Sequence, residues 1–200
     1  MSSEKSSDFG REYGILRGFL VVTALAAAIG AVLVPVWSWI QGSALSTTLN
    51  VAARDVAQNA EVGRNLAVTG TIELTVELAD PSATERLAAA LPSVVTAAAV
   101  VVIALLLARF AGDLRRGEPF TRRNVWRFRA IAIILVVGSI GVSLAEMFRE
   151  SIVSHRLAED PTVFTMTLPL PWIGAALVVG AVAEAFRVGT RLRDDTEGLV

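Results

Sequence analysis

A chain of 200 residues with 54% hydrophobic and only 18% charged side chains, and a mean hydropathy of +0.58, is too apolar for a water-soluble domain, where charged residues supply about a quarter of the chain. A net charge of −1 gives no global attraction for nucleic acid, and none is expected to bind directly. The absence of cysteine excludes disulfides, thiolate nucleophiles and thiolate-bound zinc.

The apolar residues are gathered into four runs, 15–39, 94–108, 130–145 and 172–183, whose single charged side chain is Arg17 near the start of the first. A bilayer core requires about 20 helical residues, within a range of about 17–25. The first run has that length, and the other three reach it with their flanks. The expected fold class is therefore an all-α membrane protein with four transmembrane helices and a small extracytoplasmic α/β cap that includes two strands.

In chain order, residues 1–14 form an N-terminal tail and 15–40 the first span. This span is longer than the 7–15-residue core of a signal peptide and ends in Pro35, Trp37 and Trp39 instead of a small-residue cleavage site, so a retained helix is expected. A connector follows over 41–92. Its first part, SALSTTLNVAARDVAQNA (43–60), places Leu45, Leu49, Ala52, Ala53 and Val56 at helical intervals, which predicts an amphipathic helix.

The next part, NLAVTGTIELTVELADPS (65–82), puts Leu66, Val68, Ile72, Leu74, Val76 and Leu78 at even positions against polar odd ones. Period-two alternation predicts a half-buried strand, with a bend or hairpin about Gly70. Ser82 and Glu85 have capping-box spacing, and a short helix leading to Pro92 is expected after them.

The second span is placed at 93–110 and a basic cytoplasmic connector at 111–124, with the third span at 125–148. The outer connector 149–170 contains TVFTMTL (162–168), whose Phe164, Met166 and Leu168 alternate as in a strand. Isolated strands are not stable, so this one is expected to pair with the first. The fourth span occupies 171–187 and a C-terminal tail 188–200.

Four spans put both tails and the basic connector on one side. That side holds thirteen Lys and Arg, seven of them between Arg109 and Arg129, and the other side holds five: Arg54, Arg64, Arg86, Arg149 and Arg156. Basic residues in short loops stay cytoplasmic, so both termini and the stretch RRGEPFTRRNVWRFR (115–129) are expected inside, in the bacterial cytoplasmic membrane. Trp37, Trp39 and Trp172 then mark the outer interface, and Phe110, Phe120, Trp126 and Phe128 the inner one. Arginines with interleaved aromatics also resemble a nucleic-acid patch by composition, but topological anchoring and contact with anionic head groups account for the bias. Arg115, Arg116, Arg122, Arg123 and Arg127 are the candidate partner or lipid contacts.

Carboxylates near spans are the next candidates, because desolvating a charge is costly. Glu146 and Arg149, and Glu184 and Arg187, are each three residues apart, the spacing of a local ion pair. Glu146 lies about 31 Å along a helix begun at Val125, at the outer interface. Gly138, Ser139, Gly141 and Ser143 on the third span, with Gly174, Ala175 and Gly180 on the fourth, are expected to let these helices approach closely. His155 is the single histidine and reads as a surface residue. No phosphate loop is spelled out, and no catalytic residue, metal ligand or cofactor is assigned; the chain reads as a non-enzyme.

Two stretches resemble a family. RRGEPFTRRNVWRFRAIAI in the connector and AEAFRVGTRLRDDTEGLV at the end are similar to DUF2975, bacterial four-span membrane proteins with a G-x-P-F-[ST]-x-x-N connector and an acidic tail. The motif falls on Gly117, Pro119, Phe120, Thr121 and Asn124. The tail corresponds to Glu184, Phe186, Arg187, Gly189, Leu192, Asp194, Asp195, Glu197, Leu199 and Val200. Read physically, Gly117 and Pro119 supply a turn and Thr121 or Asn124 caps the third helix. Residues 41–92 are placed by position alone. The resemblance implies a frequent association with a small helix-turn-helix regulator of the Cro/CI type, for which Asp194, Asp195 and Glu197 beside Arg191 and Arg193 offer a docking segment. The leading expectation is an accessory or sensor protein that binds such a cytoplasmic regulator, with a homo-oligomer also open. The alternative is a small transporter or channel component using Glu184.

Overall fold

The computed structural model describes residues 2–52, 71–155 and 169–197. Four helices and two strands follow in the order α1 (Ser2–Ile40), β1 (Leu45–Ala52), β2 (Thr71–Leu78), α2 (Ala83–Arg115), α3 (Arg122–Ser154) and α4 (Leu170–Glu197). Each helix contains a segment long and apolar enough to cross a membrane: Gly14–Ile40, Ala83–Arg115, Arg122–Ser154 and Leu170–Arg193. The chain is a multi-pass membrane protein with a small two-stranded antiparallel sheet.

Helix α2 runs unbroken through Pro92, where a stop is expected from the sequence. Proline removes one helical hydrogen bond, but a backbone bound for hydrocarbon has no partner other than its own helix for the remaining groups, so the helix continues. Its start follows the expected capping box. The backbone N–H of Ser82 donates to Glu85 Oε2 at 2.6 Å, and that of Glu85 donates to Ser82 Oγ at 3.3 Å. Helix α4 likewise passes residue 187 and includes the part of the expected tail from 188 to 197.

The chain divides into two units. The first comprises Met1–Ala31, Val94–Ile140 and Pro169–Val200. Its buried apolar side chains are mainly alanines, among them Ala24, Ala97, Ala104, Ala108, Ala111, Ala176 and Ala183, whereas Phe19, Val22, Ile133 and Leu177 are more than 60% exposed. Small residues inside and large ones outside invert the soluble pattern and suit helices that pack through close backbones and face lipid with their bulk. The glycine expectation needs correction. A Cβ on Gly138 would meet Ala99 Cβ of α2 at 3.4 Å, while nothing lies within 4 Å of one on Gly174 or Gly180. A glycine shows only that a close approach is permitted, and the sequence does not say which neighbour takes it.

The second unit comprises Val32–Ser93 and Gly141–Leu168. Here β1 pairs with β2 in the register Leu45↔Leu78, Thr47↔Val76, Leu49↔Leu74 and Val51↔Ile72. The helix expected over 43–60 is thus a strand as far as Ala52. Leu45 and Leu49 stand four apart, a spacing shared by the helical and strand periods, and the Thr47, Thr48 and Val51 between and after them favour the strand. Residues 53–70 and 162–168, which carry the first part of the long alternating segment and the second expected strand, lie outside the described residues. The partner found for β2 is β1.

Leu78 and Val153 form the buried centre of this unit, with Leu45 and Val76 packed on them. Two arginines fasten it. Arg86 donates to the carbonyls of Ser38 at 3.3 Å and Ser43 at 3.1 Å, placing a cation at the C-terminal end of α1 where the dipole favours one. Arg149 donates to Thr47 Oγ1 and to the Thr48 carbonyl at 3.0 Å. It is therefore directed to β1, and no pair with exposed Glu146 is present among the described residues.

Candidate functional site at the basic connector

The connector from α2 to α3 is held by its own backbone. The N–H of Gly117 donates to the Leu114 carbonyl at 2.9 Å and that of Glu118 to the Asp113 carbonyl at 3.1 Å, with Gly117 at φ 76°. This is the Schellman ending, which requires a left-handed residue and so selects glycine. Pro119 cannot resume the helix, and Thr121 caps the next one by accepting the Asn124 N–H on its Oγ1 at 3.3 Å.

Asn124 is completely buried and ties the turn together. Its Nδ2 donates to the carbonyls of Glu118 at 3.4 Å and Pro119 at 3.0 Å. Its Oδ1 accepts from Arg127 Nη1 at 2.6 Å, and the same nitrogen pairs with Asp113 Oδ2 at 2.5 Å. Arg116 Nη2 reaches the other Asp113 oxygen at 3.2 Å. The glycine, proline, threonine and asparagine of the connector motif are thus parts of one hydrogen-bonded turn. Loss of one partner in such a buried ion pair costs about 3–5 kcal/mol.

Below the turn lies an aromatic cluster. Phe110 meets Phe128 edge-on with centroids 4.8 Å apart and Phe186 at 5.6 Å. Phe186 stacks on Phe128 at 5.1 Å and touches Phe120 at 5.4 Å. The three connector-side phenylalanines expected as an interfacial belt contact Phe186 of α4, with Phe120 still 43% exposed, and Trp126 is 64% exposed. On α4, a Cβ at Gly189 would come within 2.7 Å of Phe120 Cδ1. The connector therefore rests directly on the helix that carries the acidic end.

One turn earlier on α4, Glu184 is gripped by Arg187, whose Nε donates to both carboxylate oxygens at 2.9 Å and whose Nη2 also pairs with Oε1. Arg129 Nη2 of α3 stands 3.8 Å from Oε2. Beside this pair is an open groove of about 470 Å³. Arg122, Val125, Trp126 and Arg129 of α3 line it, and so do Arg187 and Arg191 of α4.

Among the predicted contacts, Arg115, Arg116, Arg122 and Arg123 are exposed, as is Asp195. Asp194 and Glu197 belong to the end of α4, with side chains outside the described set. Arg127 is the exception: it is 7% exposed and committed to Asp113 and Asn124, so it is a structural residue and does not offer a contact. Asp113 was not singled out by sequence; the signal available was an acid set among arginines immediately before a helix stop. His155 is exposed at the end of α3.

A family profile described as "Protein of unknown function (DUF2975)" matches residues 66–200. The chain belongs to the DUF2975 family. The match covers the connector and α4 on which the resemblance rests, and reaches back over α2 and over β2, which lies in the stretch 41–92 placed by position alone. No curated protein matches the chain, and no solved structure does. In this DUF2975 protein the motif asparagine is the buried centre of the connector and the motif phenylalanine its contact with α4.

Proposed function

We propose that this DUF2975 protein is a non-enzymatic accessory or sensor of the bacterial cytoplasmic membrane, with both termini and the basic connector inside, and that it docks a small cytoplasmic helix-turn-helix regulator. Four crossings put the connector and α4's end on one side, and the excess of Lys and Arg there supports the cytoplasmic assignment. The observation that carries docking is the contact of Phe120 with Gly189. It makes the connector and the end of α4, two separate candidates in the sequence, a single surface on which Arg115 and Arg123 stand exposed along with Asp195. Charged rims of this kind set the rate and selectivity of association.

The rival reading as a transporter component relies on Glu184. That carboxylate is engaged by Arg187 and Arg129, which supports a structural ion pair. The docking reading is tested by co-purification from detergent, with the regulator identified by peptide mass spectrometry. R115E/R123E and D195K should each reduce its recovery severalfold while leaving the amount of membrane protein unchanged. Undiminished recovery in both would refute docking on this surface.

A further inference from the structure

The Glu184 ion pair lies deeper than a surface pair. Trp172 marks the interface at which α4 begins, and Glu184, 12 residues further on, stands about 18 Å along the helix, short of the hydrocarbon thickness of about 30 Å. On α3, Arg129 is followed by 16 uncharged residues, 130–145, which cover about 24 Å. By either helix the group falls about 6–12 Å inside the apolar layer.

Arginines at such a depth ordinarily extend towards the head groups. Arg187 and Arg129 instead turn to Glu184, so charge of both signs is held at that level. The described residues do not enclose it: the side chains of Glu184, Arg187 and Arg129 are 50%, 58% and 56% exposed. Lipid tails offer these groups no hydrogen bond, and charge facing hydrocarbon is costly. A polar partner at the same depth removes that cost.

The surface around Glu184 admits a helix. Leu177, Ala181 and Val188, seven and three residues before it and four after, share its face of α4 and are exposed. Nothing lies within 4 Å of a Cβ placed on Gly180, and small residues let a second backbone come close. Charge decides which helix. An apolar helix answers neither sign and a lipid phosphate only one, whereas a patch with an acid and two bases is self-complementary, as a twofold interface requires. Copies inserted the same way carry this patch at one depth, so a twofold axis along the membrane normal sets each carboxylate level with the other copy's guanidinium groups. Arg129 Nη2 stands 3.8 Å from Oε2, longer than a hydrogen bond, and a carboxylate accepts about four donors.

We propose that two copies of this chain pair in the membrane through parallel α4 helices, with Arg129 of each reaching Glu184 of the other while the Glu184 and Arg187 contact within each chain is kept. The inference does not rest on regulator docking, which is read out on Arg115, Arg123 and Asp195.

The test uses the full chain reconstituted in phosphatidylcholine vesicles. Because the chain has no cysteine, A181C and V22C serve as single-cysteine variants. Oxidation should join A181C into a disulfide dimer, whereas V22C, on the exposed surface of α1, should give only the level of random collision. Equal cross-linking of the two would overturn the interface. Association is then measured by single-molecule photobleaching as the lipid-to-protein ratio is raised. E184Q should weaken it roughly tenfold, and R115Q/R123Q less than about twofold. Unchanged association in E184Q would overturn the pairing, and so would a native chain that is monomeric at every ratio. If E184Q does not fold, A181L blocks the close approach and leaves the ion pair intact. Weaker association in A181L then supports the pairing, and unchanged association overturns it.

Discussion

Phe120 of the connector lies over Gly189 of α4 so closely that a methyl group on the glycine would stand 2.7 Å from the ring. That distance requires the ring or the helix to move. G189A should therefore lower the melting temperature in detergent by several degrees, from overpacking worth about 1–3 kcal/mol, and F120A/G189A should lose less than the sum of the two single changes. Additive losses would show that the contact is not made.

The Asp113 and Arg127 pair makes a second case. Replacing one partner leaves an uncompensated buried charge, so D113N and R127M should each destabilise by about 3–5 kcal/mol, whereas D113L/R127M should recover much of the loss. Thermal melts of the three variants in one detergent decide this. N124A should resemble the single variants, because it strands the Glu118 and Pro119 carbonyls as well as a hydrogen bond to Arg127.

The native chain lacks cysteine, which makes sidedness directly measurable. A44C, in the exposed turn after α1, should react with a membrane-impermeant maleimide in intact cells. R123C should react only after the membrane is opened. Labelling of R123C in intact cells would reverse the assigned orientation.

At the start of α2, S82A removes one half of a reciprocal cap and should cost about 1 kcal/mol. S82D keeps an acceptor at the cap position but sets it beside the Glu85 carboxylate, and should fall short of the native stability. Equal melts for S82A and the native chain would show that the cap adds nothing.

The four helices were legible because apolar runs that reach membrane length with their flanks have few other uses in a polypeptide. The connector was legible in part. Its Gly, Pro and Thr have local conformational meaning, and the turn they make was foreseen, but Asn124 reads equally well as a cap until its buried partners are located. Arg127 could not be separated from its neighbours by sequence, since a run of arginines has no period that says which one turns inward across fourteen residues to Asp113. The strand at 45–52 was missed for a different reason. Leucines four apart satisfy both regular periods, and only pairing partners among 71–78, from Thr71 opposite Ala52 to Leu78 opposite Leu45, decide between them.

Helix α4 does not stop where its apolar residues do. From Arg187 to Glu197 it rises about 15 Å further, which makes its last turns a spoke rather than a tether. A force applied at the tip, by a bound protein or by repulsion between like charges, is then delivered as torque at Gly189 and Phe186. A flexible tail of the same composition would dissipate it.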